Sequence, residues 1–483
     1  MNVHPLSMQM RVGGKEISSA DERWIPVINP ATGEVIDQVP EGTLHEVDEA
    51  VSAAQAAFDS WGKKTVRERG LILYRAAGNV REQHQELARL LTMEQGKPLR
   101  DAVDEIRGFA NILEFFAGIS GAMNGDFIAL GSLGDALVKR EPIGVCGAII
   151  PWNMPAIIMG WKVAPALLAG NTLVFKPSSS APLTCLSLAS SLERSGLPPG
   201  VLNVVTGKGE VVGEGIARHP AIRKISFTGD RATGFRIQEL ARSHLKDISL
   251  ELGGSDPMIV WKDADIGKAV SGVIKGRFYN AGQTCTAVKR LYVHHDIAKE
   301  FVVRLKNKVE AIRVGNGLDP GSDMGPLSGK PQLDNVMSFV NTVEKKGQGT
   351  ILTGGNVMTG GTHGKGFFYA PTLVIDTTPE CILLQQEVFG PVLPVVPVND
   401  LETAIAKANS TPYGLGASIW TNDLSVVHEV FSSVAAGVVW VNRHLTIPPE
   451  VPFGGVKESG IGRENGIAAY HTYTRTKTLL LNW

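Results

Sequence analysis

The sequence predicts an α/β fold built on a doubly wound parallel sheet, and three observations carry that expectation. Short apolar runs alternate with helical periodicity from Gly144 to Gly253. The runs fall at 145–150, 172–175, 202–205, 224–227 and 248–252, and the helical patterns at 156–168, 183–194, 211–218 and 233–245. Continuous apolar strands joined by crossover helices imply parallel pairing, with ligands at the carboxyl ends of the strands. Glycine (54) and proline (27) are frequent, as many short strand–helix units require. The length of 483 residues, 43% hydrophobic, is too great for one ordinary core and suits two large domains.

In chain order, Asn29-Pro30-Ala31-Thr32-Gly33-Glu34 is turn chemistry inside a hairpin-like entry at 27–37. From Leu44 the pattern becomes helical, with Val47, Ala50, Val51, Ala54 and Phe58 recurring at three and four, and helix continues over 67–95 and 99–119. Residues 121–136 are glycine-rich and weakly apolar and lead into β-like 137–140, an excursion from the main body. Beyond the central block, a second βα-rich stretch runs from 258 to 442. Its strands are expected near 258–260, 290–294, 368–375, 393–396, 416–420 and 437–442. The tail, 473–481, is strand-like, and an exposed terminal strand seeks a partner.

Net charge is −1 with the charges spread, so nothing recommends nucleic acid or a membrane surface as partner. The four cysteines, Cys146, Cys185, Cys285 and Cys381, form no CxxC or Cys/His cluster. That argues against a disulfide framework and calls for no metal; a reducing cytosol is the simplest home. Residues 1–15 lack the pattern of a secretory signal. The most hydrophobic region, 143–175, is interrupted by Pro151, Asn153, Pro155, Lys162 and Asn171, leaving pieces shorter than the ~20 apolar residues of a membrane span. A soluble, cytoplasmic protein is expected.

Two stretches invite chemistry. Phe278-Tyr279-Asn280-Ala281-Gly282-Gln283-Thr284-Cys285-Thr286 sets a cysteine among small and hydroxylated residues. By itself it fits a small buried hydrophobe or a nucleophile, which reacts as thiolate. Leu250-Glu251-Leu252-Gly253-Gly254 strands an acid in an apolar run, as a catalytic base or as a strand acid facing solvent. Between them in kind are two strand-to-helix loops rich in glycine. Thr206-Gly207-Lys208-Gly209-Glu210-Val211-Val212-Gly213 is one residue longer than the dinucleotide fingerprint, and Phe227-Thr228-Gly229-Asp230 opens the next helix. Either loop alone reads equally as a plain connection. The pair, with Lys176-Pro177-Ser178 after its own strand, favours a nucleotide cofactor.

Together these stretches resemble the aldehyde dehydrogenase superfamily along nearly the whole chain. The matching pieces, in family order, begin with Asn29-Pro30-Ala31-Thr32-Gly33, Pro151-Trp152-Asn153 and Gly170-Asn171-Thr172-Leu173-Val174-Phe175-Lys176-Pro177-Ser178. Phe227-Thr228-Gly229, Glu251-Leu252-Gly253-Gly254 and Gly282-Gln283-Thr284-Cys285 follow. Glu387-Val388-Phe389-Gly390-Pro391 and Pro452-Phe453-Gly454-Gly455-Val456-Lys457, with Ser459-Gly460-Ile461-Gly462-Arg463-Glu464, complete the series.

The resemblance implies Cys285 as nucleophile, Glu251 as general base, the Asn153 amide in the oxyanion hole and Lys162 near the reacting centre. It implies a cofactor groove from Trp152, Lys176, the Gly209 to Gly213 turn, Phe227, Gly229 and Asp230, with Glu387 and Phe389 at the nicotinamide. It implies an aldehyde dehydrogenase-like architecture: a Rossmann-type cofactor domain (1–121 and 143–252), a catalytic domain (253–451) and a small β bridging element (122–142 and 467–483). Homodimers or homotetramers form through that element, giving the tail strand its partner. The implied reaction oxidises an aldehyde to its acid with NAD(P)+, through a cysteine thioester resolved by water. Resolution by CoA or phosphate is the alternative on this fold, and a binding protein without chemistry is a third reading.

Two positions depart from the family pattern. Ser179 stands where NAD-specific members usually carry glutamate, which removes a charge that repels a 2′-phosphate and leans the expectation slightly to NADP. Asp230 stands where serine is commoner, an acid near the pyrophosphate that needs Arg231 or a helix N-terminus to offset it. For substrate, Arg443 and His444 lie in the segment expected at the mouth, as contacts for a polar tail or as plain surface. Phe115 and Phe116 lie on a helix expected beside the tunnel, where an aromatic pair also reads as core.

Overall fold

A computed structural model of the chain describes residues 8–482. The first sheet has the spatial order Gly460–Ile461, Asp247–Glu251, Ile222–Thr228, Val145–Ile149, Thr172–Lys176, Leu202–Val204, Met10–Val12, Lys15–Ile17. The five central strands are the five read from the sequence, all parallel to one another, and antiparallel strands flank them on both sides. Every residue of Val145–Ile149 and Thr172–Lys176 is buried, as continuous apolar runs covered on both faces must be. The chain moves outward in one direction from Val145–Ile149 and later returns to its other side with Ile222–Thr228. A crevice opens at such a reversal, outside the carboxyl ends of the two strands. Those ends carry Pro151-Trp152-Asn153 and Thr228-Gly229.

The second sheet runs Thr350–Thr353, Thr372–Ile375, Val392–Val398, Val288–His294, Asp256–Val260, Gly416–Trp420, Val438–Val441, parallel except at its first strand. A third, antiparallel sheet joins Thr474–Leu481, Asp135–Pro142 and Asp126–Ala129. The entry hairpin pairs Trp24–Ile28 with Val35–Pro40. Helices Leu44–Gly62, Val66–Glu82, His84–Gln95 and Leu99–Gly118 follow it.

Several elements differ from the sequence reading. The strand expected at 368–375 begins only at Thr372; Pro371 has no N–H to give a ladder. Asp126–Ala129, inside the supposed excursion, is a strand whose four residues are all exposed, so no apolar face marks it. The turn at Gly209 to Gly213 is one π-helical turn running into Glu214–Arg218, so helix begins two residues before 211. Gly460–Ile461 returns to the first sheet beside Asp247–Glu251. The tail strand finds its partner within its own chain, Thr474 opposite Pro142 through Leu481 opposite Asp135, and its outer edge stays open. Among the described residues no helix is long and apolar enough to cross a membrane.

Candidate active site

The cysteine loop is held in a conformation that the sequence pattern does not show. Helix Ile266–Phe278 ends, and Asn280, Ala281 and Gly282 then take three successive left-handed conformations at φ 50°, 55° and 73°. Two of these are not glycine, which is unfavourable by about 1 kcal/mol or more each unless the surroundings enforce it. The Asn280 side chain supplies that enforcement. Its Oδ1 accepts from Gln95 Nε2 at 3.0 Å, and its Nδ2 donates to the carbonyls of Asn153 at 3.0 Å and Gln283 at 3.3 Å. Gln283 is tied in turn through Nε2 to the Asn280 carbonyl at 2.9 Å and through Oε1 to the Ser328 N–H at 2.9 Å. Gly282 cannot carry a side chain, because a Cβ there would run into the Gly390 carbonyl.

Asn153 closes this frame from the first sheet. Its Nδ2 donates to the Gln283 carbonyl at 2.9 Å, which uses one amide hydrogen and leaves the other for a ligand. Its main-chain carbonyl accepts from buried Lys97 at 2.8 Å as well as from Asn280. Lys97 pairs with Glu105, both fully buried, and Glu105 Oε1 accepts from the N–H of Ala156 at 2.9 Å, at the start of helix Pro155–Leu168. The negative group sits at a positive helix end.

Cys285 lines a cleft of about 650 Å³ together with Trp152, Asn153, Lys176, Ser179, Gly209, Phe227, Gly229, Asp230, Glu387 and Phe389. Burial pushes its thiol up to about 12, opposed mainly by the nearby Lys289 charge. Trp152 and Phe389 meet edge to face, 5.6 Å between centroids. Glu387 Oε1 accepts from the Gly254 N–H at 3.2 Å and pairs with Lys289 at 2.9 Å, and only glycine fits at 253 because a Cβ would strike the carboxylate.

Glu251 ends its strand 3% exposed, so it does not face solvent. Neither carboxylate oxygen has a hydrogen bond of ordinary geometry. Burial, and then the neighbouring Glu464, hold its acid well above the usual carboxylate range; Lys162, Arg463 and the Gly455 amide draw it back only in part. Lys162, fully buried, donates to Glu464 Oε1 at 2.5 Å and Ser226 Oγ at 2.9 Å. Glu464 Oε2 has no partner.

At the far end of the cleft, Lys176 donates to the Pro177 carbonyl at 3.0 Å, and burial brings its ammonium down to about 8. Ser179 Oγ donates to the Gly207 carbonyl at 2.8 Å. Asp230 is the N-cap of helix Arg231–Ala241 and accepts from the Thr233 N–H at 2.9 Å and hydroxyl at 2.6 Å. The helix end therefore offsets its charge, while Arg231 pairs with Glu458 at 2.6 Å. A nicotinamide dinucleotide suits this cleft: backbone and a helix end line the strand termini, glycine at 229 leaves room where a Cβ would meet the Phe227 ring, and a largely buried carboxylate waits at Glu387.

Arg443 and His444 lie elsewhere. They line a separate depression with Lys268, Lys275 and Trp420, where Arg443 is exposed. His444 is a core residue: Nε2 lies 2.7 Å from the Thr286 carbonyl, Nδ1 lies 3.0 Å from Ser418 Oγ, and burial lowers the ring to about 4. With both nitrogens used and the imidazole neutral, it has nothing to offer a substrate tail, and the expectation for it is withdrawn. Phe116 is fully buried and Phe115 half-buried. The sequence reading gave no role to Lys97, Glu105, Asp256, Lys289 or Glu464. The available signal was charge inside apolar runs, as in Val288–His294, where Lys289 and Arg290 interrupt a strand that is buried throughout.

A cysteine in a crevice shaped for a dinucleotide, with the Glu387 carboxylate and the Phe389 ring in the same lining, fits a nicotinamide-dependent oxidoreductase. The sequence matches the Aldehyde dehydrogenase family over residues 17–479, and the chain belongs to that family. It is thereby an NAD(P)+-dependent enzyme that oxidises aldehydes to acids. It is similar to a betaine aldehyde dehydrogenase of Brucella anthropi, 41% identical over 97% of this chain and 96% of the relative. A phenylacetaldehyde dehydrogenase of Pseudomonas fluorescens is 41% identical over 99% and 96%. Among solved structures, betaine aldehyde dehydrogenase of Staphylococcus aureus, in complex with NAD+ and with a BME-modified cysteine, superposes with a TM-score of 0.96 at 34% identity, over 99% of this chain and 98% of that one.

Proposed function

We propose that Cys285 attacks the aldehyde carbonyl, that Asn153 and the Cys285 backbone N–H hold the resulting oxyanion, and that Glu251 then activates water against the thioester. The observation that carries this reading is that Cys285 and the free edge of the Asn153 amide share the cleft that Glu387 and Phe389 close. Fixed donors aimed at a developing oxyanion are worth about 3–4 kcal/mol each. A bound nicotinamide would supply the hydride acceptor that the oxidation needs. Trp152, Lys176, Ser179, Gly209, Gly213, Phe227, Gly229, Asp230, Glu387 and Phe389 hold it. Burial among apolar neighbours, with Glu464 beside it, raises the Glu251 acid well above the usual carboxylate range, and a more basic carboxylate is the better proton acceptor. Glu464, fixed by Lys162 and Ser226, is the next acceptor for the proton that Glu251 removes. Replacing Cys285 by Ala tests the assignment: aldehyde-dependent reduction of the cofactor is expected to vanish, and persistence at a rate near the parent's contradicts it.

The cofactor preference leans to NADP+ with NAD+ also accepted. Ser179 places no carboxylate on the rim, and Lys176 lies in the same wall; Glu210, whose charge reaches Lys176, keeps the lean slight. For substrate, an apolar or aromatic aldehyde fits better than a charged one. Cys285 packs on the apolar cluster that also carries Phe115, Met154, Ile157 and Ile447. Comparing kcat/KM for phenylacetaldehyde and betaine aldehyde tests this, with the first expected higher. CoA as acceptor is disfavoured by Glu251, whose expected task is to activate water; acyl-CoA or acyl-phosphate formation in the presence of CoA or phosphate would show otherwise.

The domain reading is 1–121 with 143–252 for cofactor, 253–451 for catalysis, and 122–142 with 467–483 as bridge. Homodimers or homotetramers form through the bridge, whose sheet exposes Phe127 (63%) and Leu480 (69%) and whose connecting turn exposes Leu133 (77%), beside open edges. Four free cysteines suit a reducing cytoplasm.

A further inference from the structure

Lys289 lies outside every motif that carries the family likeness, yet its buried side chain reaches the Cys285 carbonyl and Glu387. The register between the parallel strands Asp256–Val260 and Val288–His294 slips here: Asp256 lies opposite Val288 and Pro257 opposite Arg290, leaving Lys289 as the extra residue. Such a bulge breaks the strict alternation of a strand and re-aims a side chain. Lys289, 2% exposed, is aimed back at the loop that precedes its own strand. Its Nζ donates to the Thr284 carbonyl at 3.0 Å and the Cys285 carbonyl at 2.6 Å, and pairs with Glu387 Oε1 at 2.9 Å. Three acceptors match the three hydrogens of an ammonium group. One buried cation thus ties the main chain of the cysteine to the segment bearing Glu387 and Phe389. Arg277 holds the same segment through the carbonyls of Val388 at 3.0 Å and Gly390, and ties it to the Val288 carbonyl at 3.2 Å, next to Lys289.

We propose that Lys289 is a positioning residue that locks the Cys285 main chain to Glu387 and supplies the positive charge that favours the Cys285 thiolate. The proposal rests on the reading of Cys285 as nucleophile. The charged and titratable groups facing the thiol are Lys289, Asp256, Glu387 and Glu251, and the three carboxyl groups oppose its ionisation. Burial holds Asp256 and Glu251 toward their neutral forms, and His444, on the Thr286 carbonyl, is a neutral imidazole. Lys289 is therefore the group among them that works for the thiolate at neutral pH.

The test is the pH profile of iodoacetamide alkylation of the free enzyme. The other three cysteines are buried, and Cys285→Ala supplies the background rate. Lys289→Met is expected to alkylate about tenfold more slowly at neutral pH, with its profile displaced upward by about one unit. Lys289→Arg, which keeps the charge, is expected to restore the parent profile. Because Lys289→Met leaves Glu387 without its cation, Lys289→Met/Glu387→Gln is measured against Glu387→Gln, and the double variant is expected to be the slower of the two. A profile for Lys289→Met that coincides with the parent, or a double variant that coincides with Glu387→Gln, overturns the proposal. If Lys289→Met does not fold, the double variant decides. Turnover persisting in Cys285→Ala overturns instead the nucleophile assignment, on which the alkylation profile does not depend.

Discussion

Glu251 and Asp256 lie five residues apart, both buried and both raised by burial, and loss of the proton serves activity at the first while it costs stability at the second. Glu251 must be ionised to take a proton from water, and its folded acid is raised well above the ordinary range. Activity limited by thioester hydrolysis should therefore fall as pH drops and Glu251 takes up its proton above the usual carboxylate range, and Glu251→Gln should lower turnover by roughly 10²- to 10⁴-fold and flatten that limb. Neither oxygen of Asp256 has a hydrogen bond of ordinary geometry, and burial, offset only in part by Lys289 and the Gly416 amide, raises it to about 8 from an unfolded value of 3.8. Between those values the folded state holds a proton that the unfolded chain has lost. Stability then falls as pH rises, by about 1.4 kcal/mol per unit, and levels off above about 8. Glu94, Asp101 and Glu251, also raised by burial, add slopes of the same sign, so Asp256→Asn should lessen the slope by about 1.4 kcal/mol per pH unit, as read by thermal unfolding at a series of pH values; an unchanged slope would place the proton elsewhere. At Ser179, substitution by Glu should lower kcat/KM with NADP+ by at least about tenfold while sparing NAD+, because a carboxylate repels the 2′-phosphate. Equal loss with both cofactors would show that residue 179 does not face the ribose.

At the scale of elements, the left-handed run from Asn280 to Gly282 shows what a linear pattern leaves out. Five central strands were readable because a strand buried on both faces is apolar throughout. Their crossing order placed the crevice where Trp152, Asn153 and Gly229 end. Legibility stopped where a conformation depends on distant partners. Asn280 reads as a plain polar loop residue, and only Gln95 and Asn153, far off in sequence, show why it takes φ 50°. Lys289 reads as a stray charge because a bulge, which re-aims it, leaves no mark in periodicity. His444 failed for the converse reason: a histidine beside an arginine looks like surface, while the fold gives both its nitrogens to the core. Gly282→Ala should destabilise the protein by more than about 2 kcal/mol, from the positive φ and the clash with Gly390, and abolish activity even where the protein folds. Normal stability and turnover in that variant would remove the loop's rigidity from the account.

For the whole molecule, the first and second sheets meet along the crevice and the third stands apart with its apolar side chains bare. Phe127→Lys/Leu480→Lys should reduce the oligomer measured by light scattering without changing the circular dichroism, since both residues are exposed in the single chain. An unchanged mass would move the interface elsewhere. The central claim is that acyl transfer passes through the sulfur of Cys285 and is released by Glu251. It is tested most directly by the intact mass of Glu251→Gln quenched after mixing with phenylacetaldehyde and NAD(P)+. The expected result is one acyl group gained per chain, mapping to Cys285, with reduced cofactor formed in a burst of matching size. A burst of reduced cofactor with no added mass would contradict the account.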